Sequence, residues 1–277
     1  MNALPPISMT VIGAGRVGKT LARVCHDKGA AVIADLLNRT LRGAQEAVDF
    51  VGAGRPVETI EQLAPARLFV LAVPDDQIAT CSERLAASGL TGPDSVVIHC
   101  SGALSSSVLQ AVAATGAAVA SVHPIRSFAD PAAVAAGFDG TCCGVEGDAV
   151  AMALLTPLLQ RIGARLIPIR AESKTLYHAA AVFASNYLVS VLAVAQQAYV
   201  AAGIPAEVAL ELLTPLARES AENVFRLGPA AALTGPIARG DVATVARQLD
   251  AVQQWDTGYG QLYEQLAAAT TRLAASR

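Results

Sequence analysis

The stretch that decides the fold is Met9-Thr10-Val11-Ile12-Gly13-Ala14-Gly15-Arg16-Val17-Gly18, near the start of a chain of 277 residues. A short β-rich run leads into a Gly-x-Gly-x-x-Gly turn, and a helical segment follows. In such a turn the first glycine permits the tight bend, the second lets the backbone approach a pyrophosphate, and the third allows close helix–strand packing. The helix that follows would point its positive end at the phosphates. We therefore predict a dinucleotide-binding loop made of Gly13, Ala14, Gly15, Arg16, Val17 and Gly18.

Further along the chain, apolar runs alternate with segments of helical length. Unbroken runs such as Leu68–Val73 are typical of parallel strands, which are covered on both faces. Alternation of this kind predicts a doubly wound, mostly parallel α/β sheet with right-handed crossovers. The other predicted strands are Ala31–Leu37, Val96–His99, Val119–Val122, Thr141–Val145 and Leu166–Ile169. The helical segments between them include Val17–Lys28, Asp76–Ala87, Ser105–Ala114 and Asp148–Ile162.

After Ile169 the sequence predicts helices and no further strand. Glu172–Ala202 is interpreted as one helix, because Gly203 suits a left-handed cap and Pro205 follows. We therefore expect two domains, a dinucleotide-binding domain over residues 1–170 and a helical substrate and dimerisation domain over residues 171–277. The later helices are predicted at Ala206–Arg226, Gly228–Leu233, Asp241–Tyr259 and Gln261–Ala275.

The composition excludes several classes of protein. With 53% hydrophobic residues, 16% charged residues and a net charge of −3, the chain is not disordered, and it has no electrostatic reason to bind nucleic acid or an anionic membrane. The five cysteines show no metal-ligand spacing, and the four histidines are dispersed. We expect reduced thiols, no metal site and a cytoplasmic location.

One segment needs separate interpretation. Ala179–Ala202 carries no formal charge and is long enough to span a bilayer. Polar residues such as Ser185, Asn186 and Gln196 recur through it, however, which favours a buried helix of a soluble protein. Burial of this helix in turn predicts a homodimer formed through the C-terminal domain.

The end of the second predicted strand should decide which dinucleotide is bound. Asn38-Arg39-Thr40 lies there, about 25 residues after Gly13, where NAD enzymes usually carry an acid. Arg39 could pair with a 2′-phosphate, and its neighbours could add hydrogen bonds. The competing candidate is Asp35, which would bind a ribose hydroxyl instead. We favour NADP(H) as the cofactor.

Three further strand ends should border the same ligand, because ligands of open α/β sheets bind at the carboxyl ends of the strands. Val73 and Pro74 follow one strand and Ser101 follows the next, on the path from pyrophosphate to nicotinamide. His123 ends the fifth run, where a substrate should lie. An imidazole there is a candidate for moving a proton.

These motifs together resemble one family. They are the glycine loop, Asn38-Arg39-Thr40, Ala72-Val73-Pro74-Asp75, the Ser101-Gly102 loop, His123-Pro124, Lys174 with Tyr177-His178 and Asn186, and Leu233–Asp241. The chain is similar to a bacterial family of Rossmann-like oxidoreductases whose C-terminal half is a helical domain of unknown function. More broadly it resembles the 6-phosphogluconate dehydrogenase-like superfamily, which includes ketopantoate and pyrroline-carboxylate reductases. The resemblance implies NADP binding and dimerisation through a helical domain.

The resemblance also implies a catalytic role for Lys174. Several superfamily members carry a lysine at this position with an asparagine four residues later, whereas here His178 takes that place and the nearest asparagine is Asn186. We expect Lys174 to polarise a carbonyl or bind a carboxylate, His178 or His123 to deliver a proton, and Asn186 to orient the substrate. The expected activity is NADP(H)-dependent hydride transfer to or from a small keto, hydroxy, imine or amine substrate that carries a carboxylate. Because the Lys–Asn pair is missing, the alternative is a dinucleotide-binding regulator or scaffold without turnover.

Overall fold

The computed structural model describes residues 7–276, and within them eight strands form a single sheet. The strands are β1 Ile7–Ile12, β2 Ala31–Leu37, β3 Arg55–Val57, β4 Leu68–Leu71, β5 Val96–His99, β6 Ala118–Pro124, β7 Cys142–Gly147 and β8 Arg165–Pro168. Their order is β3-β2-β1-β4-β5-β6-β7-β8. All neighbours are parallel except β6 and β7, which are antiparallel. The predicted doubly wound, mostly parallel sheet is therefore confirmed.

Helices flank the sheet and then fill the rest of the described chain. They are α1 Arg16–Asp27, α2 Leu41–Val51, α3 Ile78–Ala87, α4 Gln110–Ala113, α5 Pro131–Ala136, α6 Ala149–Arg161, α7 Lys174–Val182, α8 Leu188–Ala201, α9 Ala206–Leu227, α10 Pro229–Ala232, α11 Val242–Trp255 and α12 Thr257–Ala274. Polar side chains fix several of the helix starts: the side chains of Thr40, Asp130 and Asp241 accept backbone N–H bonds at the first turns of α2, α5 and α11.

The sheet is buried on both faces, as its unbroken apolar runs predict. In β4, Leu68 and Val70 belong to one apolar cluster together with residues of α1 and α6, and Phe69 and Leu71 belong to a second cluster together with residues of α3. Successive side chains of a strand point to opposite faces, so each face has its own core. This rigid sheet fixes the positions of the loops at its carboxyl edge.

Several details of the secondary structure differ from the sequence-based expectation, and one is that the helix predicted over Asp241–Tyr259 ends at Trp255, with α12 beginning at Thr257. Strand β3 was not predicted, because Arg55-Pro56-Val57 is short and contains a proline, which only an edge strand accommodates. The long helix predicted over Glu172–Ala202 is present but not uniform, since Phe183–Tyr187 forms a π-helical turn between α7 and α8. Gly203 does adopt the left-handed conformation after it, with φ +91°.

The chain divides into two compact units, one ending at Val182 and the other beginning at Phe183. The domain boundary near residue 170 stays a prediction, since this division falls inside the helical segment that follows it. Helix α7, with Lys174 and His178, belongs to the first unit. The π-helical turn and Asn186 belong to the second.

The expectation that Ala179–Ala202 is a buried helix is wrong for the chain by itself. Of the described residues after Val182, only Ala209, Leu213 and Gly260 are buried. The reason is that the helices of this unit pack in pairs, α8 on α9 and α11 on α12, which leaves one side of each helix uncovered. By length and composition, the segment Ala171–Ala201 could cross a membrane, and none of its most apolar window is buried.

Candidate active site

The turn between β1 and α1 contains three glycines, Gly13, Gly15 and Gly18, which have different structural roles. Gly13 has φ +89°, and a Cβ there would lie 2.7 Å from the carbonyl carbon and oxygen of Ala72. A Cβ on Gly18 would collide with the carbonyl oxygen of Gly13. Both positions therefore need glycine for the fold itself, since side chains are strained at positive φ and a backbone clash cannot be relieved cheaply.

Gly15 is different, because a Cβ there would meet no protein atom within 4 Å and its φ of −76° suits any residue. It is exposed and precedes α1 without a side-chain cap. The backbone N–H groups of the first turn, at Arg16, Val17 and Gly18, have no intrahelical acceptor, as in every α-helix. The open space at Gly15, facing uncapped amides at a positive helix end, fits a diphosphate group.

A cavity of about 670 Å³ extends from this turn across the carboxyl ends of β1, β2 and β4. Its size is that of a site for a drug-sized ligand or part of a dinucleotide. Six of the residues predicted to bind the cofactor line it, namely Gly13, Gly15, Asn38, Arg39, Val73 and Pro74. Ala14, Arg16, Val17, Gly18, Thr40 and Ser101 are outside its lining.

At the end of β2, the structure separates the two candidates for recognising the ribose. Arg39 is exposed and lines the cavity. Asn38 accepts the Arg39 backbone N–H through its side chain at 3.0 Å, and Thr40 Oγ1 accepts the Gly43 N–H, so both side chains shape the turn. Asp35, in contrast, is 1% exposed and is used internally, where it pairs with Arg55 at 2.8 Å and accepts the Ala64 N–H at 2.6 Å. Asp35 is therefore not available to a ribose hydroxyl.

The cavity also has lining residues that the sequence analysis missed. Glu58, Thr59 and Ile60 come from the turn after β3, and Thr80, Cys81 and Arg84 come from α3. The turn of the first group could have been predicted from the sequence, because Thr59-Ile60-Glu61-Gln62 has the spacing of a capping box. The structure forms this capping box. No sequence pattern indicates the second group, whose place depends on how α3 packs on the sheet.

A cluster of aromatic side chains lies at the carboxyl ends of β5 and β6. His123 is the next-to-last residue of β6, and its Nδ1 is 2.9 Å from the hydroxyl oxygen of Tyr177 on α7. The rings of His123 and His178 are 5.4 Å apart, edge to face. Gly102, in the loop after β5, packs so closely that a Cβ would lie 2.9 Å from the His123 ring and collide with Nδ1 of His178. The structure thus brings together three segments that are distant in sequence: Gly102, His123 and the neighbouring pair Tyr177 and His178.

The side chain of Lys174, the first residue of α7, extends into the same region, and the residue is 2% exposed. Its amino group donates to the carbonyl oxygen of Ser101 at 2.9 Å and to the hydroxyl of Ser121. Burial lowers the pKa of Lys174, while the carboxylates of Glu146 and Asp75 act in the opposite direction. The amine is thus engaged by the loop after β5 and by β6.

Ser101 is the centre of this buried network. Its hydroxyl donates to Asp75 at 2.8 Å and accepts the N–H groups of Ala103 and Leu104. Its own N–H donates to Nδ1 of His99 at 3.1 Å. Every polar group of Ser101 is therefore occupied within the protein, and the loop that carries Gly102 is held rigidly.

Two imidazoles of this region, those of His123 and His99, are held in the neutral form. Burial, with smaller contributions from His178 and Lys174, lowers the pKa of His123 to about 4. Burial, followed by Lys174, also lowers the pKa of His99 to about 4. Nδ1 of His178 is buried, and no described residue gives it a hydrogen bond. At neutral pH the rings of His123 and His99 can serve as hydrogen-bond donors and acceptors without carrying charge.

Asn186, the remaining predicted catalytic residue, lies in the second unit. It is exposed and occupies the π-helical turn, where its carbonyl oxygen accepts the Ser190 hydroxyl at 3.2 Å. Such turns often occur at functional sites. Its role in orienting a substrate stays a prediction.

Comparison with protein families matches both halves of the chain. Residues 3–124 match a Rossmann-like domain, and residues 141–270 match a domain of unknown function, DUF2520. No curated protein sequence matches the chain significantly.

Solved structures with the same fold cover almost the whole chain. A protein from Thermotoga maritima is 26% identical, with a TM-score of 0.72 over 97% of this chain and 98% of that one. A candidate NADP oxidoreductase from Bacteroides fragilis is 21% identical, with a TM-score of 0.80 over 98% of this chain and 100% of that one. A pyrroline carboxylate reductase from Plasmodium falciparum, solved with NADP bound, is 14% identical, with a TM-score of 0.60 over 98% and 100%. The resemblance drawn from the sequence is confirmed to this extent: a match to a Rossmann-like domain over residues 3–124 is followed by a match to DUF2520 over residues 141–270.

Proposed function

We propose that this protein is an NADP(H)-dependent oxidoreductase that transfers a hydride to or from a small keto, hydroxy, imine or amine substrate, and that the substrate carries a carboxylate. The observation that carries the proposal is the open space at Gly15, which faces uncapped helix amides and continues into the cavity. Structures of the same fold include reductases of this class, one of them with NADP bound.

Different residues of the chain would bind different parts of NADP(H). The amides of residues 16–18 would hold the diphosphate, and Arg39 would pair with the 2′-phosphate as a charge-assisted donor. Val73 and Pro74, which line the cavity, would contact the part of the cofactor that leads to the nicotinamide. When bound, the nicotinamide would supply or accept the hydride, which is chemistry that the protein itself cannot perform.

Replacement of Arg39 by alanine tests the choice of cofactor. Loss of one charge-assisted contact is worth about 1.5–3 kcal/mol, so the Kd for NADPH should rise at least about tenfold while that for NADH changes little. Titration of both cofactors by fluorescence or calorimetry provides the measurement. Arg42→Ala is the matched control, since Arg42 is an exposed arginine one helical turn away that pairs with Glu46. Equal weakening of both cofactors by Arg39→Ala would show that Arg39 does not read the 2′-phosphate.

For the chemistry at the substrate, we assign proton delivery to the His123–His178 pair. Reduction of C=O or C=N needs a donor close to the heteroatom, and these rings lie side by side at the carboxyl ends of β5 and β6. Lys174 has a different role from the one that the resemblance implies. Because its amine is bonded to Ser101 and Ser121, we propose that it positions the loop rather than touching the substrate.

The second candidate function is a dinucleotide-binding regulator without turnover. It is favoured by the burial of Lys174 and the absence of asparagine four residues after it. It predicts NADPH binding without hydride transfer over a broad panel of carbonyl and imine compounds. Turnover that is lost in His178→Ala would exclude it.

We further propose a homodimer formed through the second unit. Large apolar side chains are exposed there: Phe183, Tyr187, Leu188, Val189, Leu210, Leu212, Leu216 and Phe225. Exposed apolar side chains in this number favour an interface, since burial of apolar surface contributes about 25 cal/mol per Å².

Light scattering at micromolar concentration should give about twice the chain mass of 28.3 kDa. Val189→Glu should shift the protein toward the monomer, because a charge would be buried at the interface. Val150→Glu is the matched control, since both valines are 66% exposed and Val150 lies on α6 of the first unit. A wild-type monomer, or equal effects of the two variants, would contradict the proposal.

A further inference from the structure

The hydrogen bond between Tyr177 and His123 has a direction that the surrounding groups decide. The hydroxyl oxygen and Nδ1 are 2.9 Å apart, and either group could donate. If the phenol donates, the hydrogen of the neutral imidazole is on Nε2. If Nδ1–H donates, Nε2 is a bare acceptor. In the first arrangement Nε2 donates a hydrogen bond to a ligand, and in the second arrangement it accepts one.

Several observations favour the phenol as the donor. Burial raises the pKa of Tyr177 to about 12, so the phenol keeps its hydrogen at neutral pH. The described residues offer that hydrogen no acceptor other than Nδ1 of His123. If Nδ1–H were the donor, the phenol hydrogen would be left unpaired in a half-buried place, which costs about 1–3 kcal/mol. Since His123 is neutral, one of its ring nitrogens carries a lone pair, and Nδ1 is the nitrogen that faces the phenol.

The opposite ring nitrogen, Nε2, borders the position that a side chain at residue 102 would fill. A Cβ on Gly102 would be 2.9 Å from Nε2 and from Cε1 of His123. None of the described residues donates to or accepts from Nε2, and this atom is not among the buried polar atoms that lack a partner. Because a Cβ at residue 102 would clash with both rings, only glycine lets the loop after β5 pack against His123 and His178, and Nε2 stays accessible without a partner among the described residues.

Tyr177 is itself held in place by close packing. A Cβ on Gly144 of β7 would collide with the Tyr177 hydroxyl, so this glycine allows the phenol to approach the sheet. The ring of Tyr177 also packs edge to face on His123, with centroids 5.6 Å apart. Tyr177 is therefore fixed by contacts on two strands, as a residue that orients another side chain should be.

We propose that Tyr177 is a positioning residue that fixes His123 in the tautomer with hydrogen on Nε2, so that this N–H binds an acceptor atom of the substrate, a carbonyl oxygen or an imine nitrogen. The inference rests on the proposed function for the identity of that atom. The tautomer itself does not depend on it. In this arrangement His123 polarises the acceptor as a neutral donor, and proton delivery falls to His178.

The tautomer can be measured without a substrate by NMR of protein labelled with ¹⁵N-histidine at pH 7. The chain has four histidines, and the His123 signals are assigned by their loss in His123→Asn. In the wild type we expect a protonated Nε2 and an unprotonated Nδ1. Tyr177→Phe removes the donor and should give a mixture of both tautomers. A wild-type hydrogen on Nδ1, or an unchanged tautomer in Tyr177→Phe, would overturn the inference.

Kinetics give a second readout that a merely structural role would not produce. Tyr177→Phe should lower kcat about tenfold and leave the Kd for NADPH unchanged. Tyr263→Phe, which removes a hydroxyl that donates to Gln248 at 2.8 Å in the second unit, should change neither kcat nor the tautomer. A fall in NADPH affinity or in melting temperature that parallels the fall in kcat would overturn the positioning role. If the wild type shows no turnover, the proposed function fails while the spectrum still decides the tautomer.

Discussion

Replacement of Gly15 by alanine should weaken NADPH binding by a large factor while leaving the protein folded. A Cβ at this position meets no protein atom within 4 Å, so the fold has room for it. The same methyl group would occupy the space in which a diphosphate must approach the amides at the start of α1. Loss of several charge-assisted bonds, each worth about 1.5–3 kcal/mol, predicts that the Kd rises at least about 100-fold. Calorimetric titration and thermal unfolding together provide the measurement.

Two other glycines serve as controls for Gly15→Ala. Gly92→Ala should change neither binding nor stability, because Gly92 also has no neighbour within 4 Å of a Cβ and lies outside the cavity. Gly13→Ala should destabilise the protein, since its positive φ and the Ala72 carbonyl both oppose a side chain. Alanine at the start of a helix costs less than about 1 kcal/mol relative to glycine, so Gly15→Ala itself should retain almost the full melting temperature. Unchanged NADPH affinity in Gly15→Ala would show that the turn does not bind the diphosphate.

Replacement of Lys174 by methionine should destabilise the first unit, by about 2 kcal/mol of unfolding free energy. Methionine keeps most of the side-chain volume but removes the donor to Ser101 and Ser121. Buried polar atoms left without a partner cost about 1–3 kcal/mol each, and here the Ser121 hydroxyl, 3.3 Å from the Ser101 carbonyl, can compensate in part. Denaturant unfolding measures the change. Turnover should fall as well, because the loop with Gly102 loses its anchor.

An exposed lysine is the control for Lys174→Met. Lys28 pairs with Asp139 at 3.3 Å on the surface, and Lys28→Met should change stability by no more than about 0.5 kcal/mol. The catalytic role that the resemblance implies for Lys174 predicts a different pattern, in which Lys174→Met loses turnover at unchanged stability. That pattern would contradict the positioning role.

Much of the fold could be predicted because its signals are local. The glycine loop, the apolar runs of β1, β2 and β4, and the glycine after α8 each reflect a backbone or burial requirement that short segments record. The exception within the sheet, β3, is defined by pairing with β2 rather than by its own three residues. The burial of the long apolar helix was predicted wrongly, because apolar composition does not say whether a helix is covered within its own chain or by another.

The candidate site could be predicted only in part, because its decisive contacts join distant residues. Arg39 was predicted to recognise the adenosine ribose because it follows a strand. The alternative candidate, Asp35, is excluded only by its pairing with Arg55, 20 residues away, which the sequence does not indicate. Nothing in the sequence indicates that Lys174 is buried against Ser101, 73 residues earlier. Tyr177 went unassigned for the same reason, since its bond to His123 spans 54 residues.

A crystal structure of the protein with NADPH tests the central claim most directly. The account predicts that the diphosphate lies within hydrogen-bonding distance of the backbone N–H groups of residues 16–18, directly over Gly15, with the 2′-phosphate at Arg39. A structure with NADPH bound elsewhere, or with the space over Gly15 filled by side chains of the same chain, would contradict it.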